Sequence, residues 1–239
     1  MDKADAEARL EALEARLDHF KLYDFFPIEV GYRAYLRGQF DEAEVEVRLR
    51  ELDHLLNPVS KARKGEEPPE LVNPMDHYLM YRAPSFEGYV YKRVTILNQF
   101  GRQEYELGRA VRMIVPAEKI EKGSEPPVER DHYKVYDILS SKMIEAPVTL
   151  TDQFVKNSTV VLDPRFFCVP AEKVIVGDGG KKRFPIYDEE AHLTIYGIDP
   201  DELSETREVE DQFGREEVEA VLGVMLAVPT LKLSYKKKG

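Results

Sequence analysis

The chain has 239 residues, 43% of them hydrophobic and 33% charged, with a formal net charge of −11, long enough to bury a sizeable core in one or two domains. The acidic balance excludes duplex nucleic acid and anionic membrane as main partners, because both demand a basic footprint, and the tail Lys236-Lys237-Lys238 is too short to change that. A single cysteine, Cys168, excludes an intramolecular disulfide, and no stretch approaches the ~20 apolar residues of a membrane span.

Residues 4 to 17 are strong helix formers with Leu10, Leu13 and Leu17 on one stripe, which predicts a short amphipathic helix within residues 1–17, docked on its own domain. The segment Met1 to Glu7 has no apolar signal core. The expected setting is the cytoplasm, or a particle assembled there.

Beyond residue 17 the same signals recur four times, with histidines about 55 to 60 residues apart. Each set opens with a His and a Tyr four residues on: His19/Tyr23, His77/Tyr81, His132/Tyr136 and His192/Tyr196. Alternate residues split this opening strand into two faces, Phe20/Leu22, Tyr78/Met80, Tyr133/Val135 and Leu193/Ile195 lying opposite the His and Tyr positions. A second strand leads into Gln39-Phe40, Gln99-Phe100, Gln153-Phe154 or Gln212-Phe213, after which a turn is expected. A third strand follows, and a last apolar run meets Pro58, Pro116, Pro170 or Pro229, with a Lys three residues on. Proline has no N–H to give to a ladder, so pairing is expected to stop there.

The fold expected is all-β with a short N-terminal helix, in four tandem β units. The spacer Glu121 to Pro127 reads as a linker. The division is therefore 18–123 for the first two units and 124–239 for the last two, as two antiparallel domains; the alternative is one ring of four units.

The strings Asp18-His19-Phe20-Lys21-Leu22-Tyr23 and Asp131-His132-Tyr133-Lys134-Val135-Tyr136, with the Gln-Phe and Pro-x-x-Lys signals after them, resemble a family of uncharacterised tandem-repeat β domains, found mostly in bacterial secreted proteins, commonly as pairs and with no established activity. The resemblance implies no catalytic residue. Members tend to carry two cysteines per unit; here the positions are Leu22/Leu56, Met80/Ile114, Val135/Cys168 and Ile195/Ala227, seven of the eight being other apolar residues. The resemblance implies that each pair meets inside its unit, packing in place of a covalent link, as suits a reducing compartment.

Four histidines converging on one axis would suit a transition metal; a local hydrogen bond from each His to a carbonyl or Tyr hydroxyl is the reading adopted, with no metal and no cofactor. Cys168 reads as a buried inert thiol, the Gly177 to Lys182 stretch as a flexible loop without phosphate-cradle spacing, and the acidic stretches 188–190 and 201–211 as solvated loops. Phe25, Phe26, Tyr32, Tyr35, Phe86, Tyr89 and Tyr91 are not repeated in the later units and mark a partner surface. The function expected is a non-catalytic structural or adaptor protein, a subunit of a larger assembly binding other proteins or its own copies. The alternative is a carbohydrate- or small-ligand-binding module.

Overall fold

The computed structural model describes residues 2–63, 66–84, 91–121, 126–177 and 180–237. One helix, α1 (Lys3–Glu14), precedes thirteen strands: β1 (His19–Glu29), β2 (Arg33–Gly38), β3 (Val45–Arg48), β4 (Glu51–Arg63), β5 (His77–Arg82), β6 (Lys92–Asn98), β7 (Gly101–Lys119), β8 (His132–Ser140), β9 (Ala146–Thr151), β10 (Lys156–Gly177), β11 (Gly180–Phe184), β12 (His192–Asp211) and β13 (Gly214–Lys237). The chain is all-β apart from α1, and every ladder is antiparallel.

The opening and proline-bearing strands pair in the cycle β1–β4–β5–β7–β8–β10–β12–β13 and back to β1, a closed barrel. Closure leaves these segments without a free edge. The expected division into 18–123 and 124–239 is corrected by these ladders: β7 pairs with β8 across it and β13 with β1, so the two halves share one sheet. Gly123, the expected boundary, lies outside the described residues.

Inside the barrel the predicted inward face meets the predicted pairs. Phe20, Tyr78, Tyr133 and Leu193 form one apolar cluster with all eight cysteine-equivalent positions, Leu22, Leu56, Met80, Ile114, Val135, Cys168, Ile195 and Ala227, and Leu13 and Leu17 close one end. Leu22 lies opposite Leu56, Met80 opposite Ile114, and Ile195 opposite Ala227. The Leu stripe of α1 has thus found its partner within the chain, with Asp2 capping the helix through the Asp5 amide.

Proline does not end the strands. β4, β7, β10 and β13 run through it, and on one edge the neighbour changes there. The β4 ladder to β5 ends at Leu56 and that to β9 begins at Ser60; β7 leaves β8 at Ile114 and meets β12 at Glu118. β10 leaves β12 at Cys168 and meets β2 at Ala171; β13 leaves β1 at Ala227 and meets β6 at Leu231. The residue without an N–H stands in the gap between two neighbours, where none is required.

The same handover wraps the outside. Each hairpin tip lies against the unit two places on, so the His/Tyr face of the opening strands is covered as well: His77 to Tyr81 are buried on both faces. The Gln-Phe pairs are themselves the tips, since Asn98 pairs with Gly101 and Asp211 with Gly214. Gly101 follows its tip at φ 95°, a bulge conformation that favours glycine. The stretch 201–211, expected as loop, lies in strand β12, its charges alternating outward. The glycine-rich stretch forms the β10–β11 hairpin, with 178–179 outside the described residues.

Candidate functional site

The repeated residues meet across units. Gln39 Nε2 lies 2.6 Å from His192 Nε2, Gln99 Nε2 2.8 Å from His19 Nε2, Gln153 Nε2 3.2 Å from His77 Nε2, and His132 Nε2 3.1 Å from Gln212 Oε1. Each Gln thus serves the His of the preceding unit, the first serving the last. The Tyr partners expected for the histidines are corrected accordingly, while the expected local carbonyl is found for His192, whose Nδ1 sits 3.0 Å from the Glu190 carbonyl, and for His77, which bonds the Met75 backbone. Burial pushes His19 and His192 down to about 3 and His77 to about 4, and His132 well down too; all four are neutral at pH 7. Each has its own glutamine, and among the described residues no group of three or more His, Cys, Asp or Glu side chains is placed to hold a metal ion.

The aromatic members cross the barrel edge to face: Phe154 on Tyr23, Phe213 on Tyr81, Phe40 on Tyr136 and Phe100 on Tyr196. The residue before Gln-Phe completes the contact. Asp152 and Asp211 accept from the hydroxyls of Tyr23 and Tyr81, and Asn98 donates to Tyr196. Unit one has Gly38 there, and the buried Tyr136 hydroxyl has no hydrogen-bond partner among the described residues. Lys61, Lys119, Lys173 and Lys232 lie over Phe100, Phe154, Phe213 and Phe40 of the following unit. These groups pair with one another across units and hold the barrel. Burial also pushes the Cys168 thiol up, consistent with an inert core residue.

The other barrel end, the mouth, is different. Two positions from the inner apolar layer, on the same pleat face, stand Asp24, His54, Arg82, Arg112, Asp137, Phe166, Gly197 and Met225. Four equivalent units therefore present unlike groups here. The register of β4 against β5 slips between Leu52 and His54, leaving Asp53 as a bulge residue with a buried carboxylate. That carboxylate accepts from His54 Nδ1 at 2.6 Å, Arg82 Nε at 2.5 Å and Arg112 Nη1 at 2.6 Å. His54 Nε2 lies 2.7 Å from Asp24. Burial alone would raise Asp53, but the hydrogen bonds and charges of His54 and Arg112 win and hold it at about 2. Burial likewise opposes charge on His54, yet its hydrogen bonds to Asp24 and Asp53 raise it above the ordinary imidazole value.

Above this network opens a cleft of about 570 Å³ lined by Arg50, Glu51, Arg82, Pro84, Arg109, Val111, Arg112, Asp137 and Phe166. Arg112 lies over the Phe166 ring at 5.5 Å, and Arg82 reaches Glu51 at 3.1 Å. Sequence reading passed over this set. The available signal was His54, the one histidine outside the repeat, and charge at positions whose neighbours two residues away are apolar.

The expected partner surface is only partly a surface. Phe25 is buried in the core between barrel and outer hairpins, because it points opposite to Phe26, and Tyr32 stacks on Phe213 at 4.7 Å. Tyr35 is half-buried in β2. Phe26, 78% exposed, and Tyr91 remain outward, while Phe86 and Tyr89 lie outside the described residues. No described helix is long and apolar enough to cross a membrane.

Residues 84–229 match a family described as a repeat of unknown function (DUF7450), and neither a curated protein nor a solved structure matches the chain significantly. The match spans more than half of the chain and takes in the Gln-Phe and proline signals of the second unit and the His-Tyr, Gln-Phe and proline signals of the third and fourth, so the protein belongs to this repeat family.

Proposed function

We propose that the protein is a non-catalytic binding module, with its four units as scaffold and the arginine-lined barrel mouth as the place where a small ligand is held. One observation carries this reading: the mouth is a cleft in which side chains differ from unit to unit, whereas the cross-unit contacts elsewhere recur. Barrel mouths with a few convergent polar groups are common ligand sites, and duplicated units acquire single asymmetric sites where they diverge. The reading takes the four segments as four copies of the family repeat, cysteine-poor, of bacterial type, and working in cytoplasm or in a particle assembled there.

A second reading keeps the chain as an adaptor in a larger assembly, docking proteins or its own copies through Phe26 and Tyr91; the 78% exposure of Phe26 favours it. Hydrogen-exchange mapping with a host extract split into small-molecule and protein fractions separates the two. Protection around Arg82 and Arg112 by the small-molecule fraction supports the mouth. Protection confined to Phe26 and its neighbours by the protein fraction supports the adaptor, and protection in neither place leaves the mouth reading untenable.

A further inference from the structure

The lining of the cleft, unlike the chain as a whole, carries more cationic than anionic side chains. With a net charge of −11 overall, the protein nevertheless lines this one cleft with four guanidinium groups, Arg50, Arg82, Arg109 and Arg112, against the carboxylates of Glu51 and Asp137. Asp53 lies beneath and is already saturated: it takes Arg82 through Nε, Arg112 through Nη1, and His54 through Nδ1. Each guanidinium carries five N–H donors in a planar fork, so these contacts fix both arginines in place while leaving further donors on each. Among the described residues Arg50 forms no ion pair, and its side chain stands exposed on the rim. Held guanidinium forks suit a compact oxyanion, which they take by paired charge-assisted hydrogen bonds. Glu51 and Asp137 keep acceptors at the same cleft, which suits hydroxyls on the body of such a ligand. Phe166, Pro84 and Val111 give an apolar wall.

We infer that the mouth takes a small hydroxylated organic anion, its carboxylate or phosphate held by Arg82 and Arg112 with Arg50 and Arg109 at the rim. This rests on the reading of the mouth as a ligand site. The carboxylate and phosphate forms share one recognition chemistry, and the test carries an arm for each.

The full chain is titrated with glucuronate, glucose 6-phosphate and glucose, following amide resonances of the barrel and heats of binding at low and high salt. At least one of the two anions is expected to bind with shifts centred on Arg82, Arg112 and Phe166, while glucose does not. Affinity is expected to fall at high salt, as screening requires, and by about tenfold or more in Arg50→Ala and Arg109→Ala, the worth of a charged hydrogen bond. Both substitutions are on the rim, and thermal unfolding verifies that the barrel persists. Glucose binding at the mouth as well as the two anions, or anion binding indifferent to both substitutions, overturns the anion inference and leaves the mouth as a ligand site. Resonances unmoved by all three probes overturn the inference together with the reading beneath it.

Discussion

The two ends of the barrel use histidine in opposite ways. Near α1, four imidazoles are buried beside neutral glutamines and kept uncharged; at the mouth, His54 is buried between two carboxylates and favours its charged form. The difference lies in the partner and not in burial, since burial lowers every one of them. A repeated contact can be satisfied by a neutral partner in each copy, whereas the mouth holds a charge cluster found once.

The largest expected break in this contrast is Asp53→Ala. It strips Arg112 and His54 of their buried counter-charge and should cost about 3–5 kcal/mol in denaturant unfolding; a loss below 1 kcal/mol would show that the cluster is not held from below. Gly223→Ala comes next. A Cβ there would stand 2.5 Å from both Asp201 Oδ1 and Lys21 Cε, displacing the ion pair of the fully buried Lys21, for about 2–4 kcal/mol.

On the symmetric side, Gln39→Ala, Gln99→Ala and Gln153→Ala each leave a buried imidazole nitrogen unpaired, at about 1–3 kcal/mol each. Similar costs at all three sharpen the equivalence of the units, and one silent position breaks it. The pH dependence carries opposite signs. Folded-state values of about 3 to 4 for His19, His77 and His192 mean that their contribution is complete above 6.5 and is lost as pH falls toward those values. His54, raised, contributes fully below 6.5 and loses that contribution as pH rises through its folded value. The stability difference between the parent protein and His54→Gln, followed by unfolding from pH 5 to 9, should therefore shrink as pH rises. Lys173 sharpens the point: fully buried, with no hydrogen-bond partner for its amine among the described residues and pushed down to about 6, it costs stability that is recovered as pH rises from about 6 toward 10.5, and Lys173→Met should remove that contribution. The smallest effect is reserved for Phe26→Ala, within about 0.5 kcal/mol in stability because its ring is exposed.

The period-two pattern made the opening strands legible, and the same pattern named the inward face. Leu22 and Leu56 meet as the resemblance implied because apolar alternation dictates which side of a strand seeks the core. The cyclic contacts were not legible. His19 and Gln99 carry no mark of one another in sequence, and what joins them is closure of the barrel. Proline's missing donor reads as a stop in the sequence, yet a strand with two successive neighbours has a place for such a residue. Phe25 and Phe26 illustrate the limit at the candidate surface: adjacent phenylalanines on a strand face opposite ways, and only the presence of an outer layer decides which is covered.

The tips of units one and three clasp one another, as do those of two and four: β2 reaches β10 and β9 reaches β4, while β6 reaches β13 and β12 reaches β7. Consecutive halves of the polypeptide therefore never contain a complete clasp. A fragment ending before residue 122 and one beginning at 126 should each be poorly folded in isolation and recover the barrel on mixing, like two hands that can shake only each other.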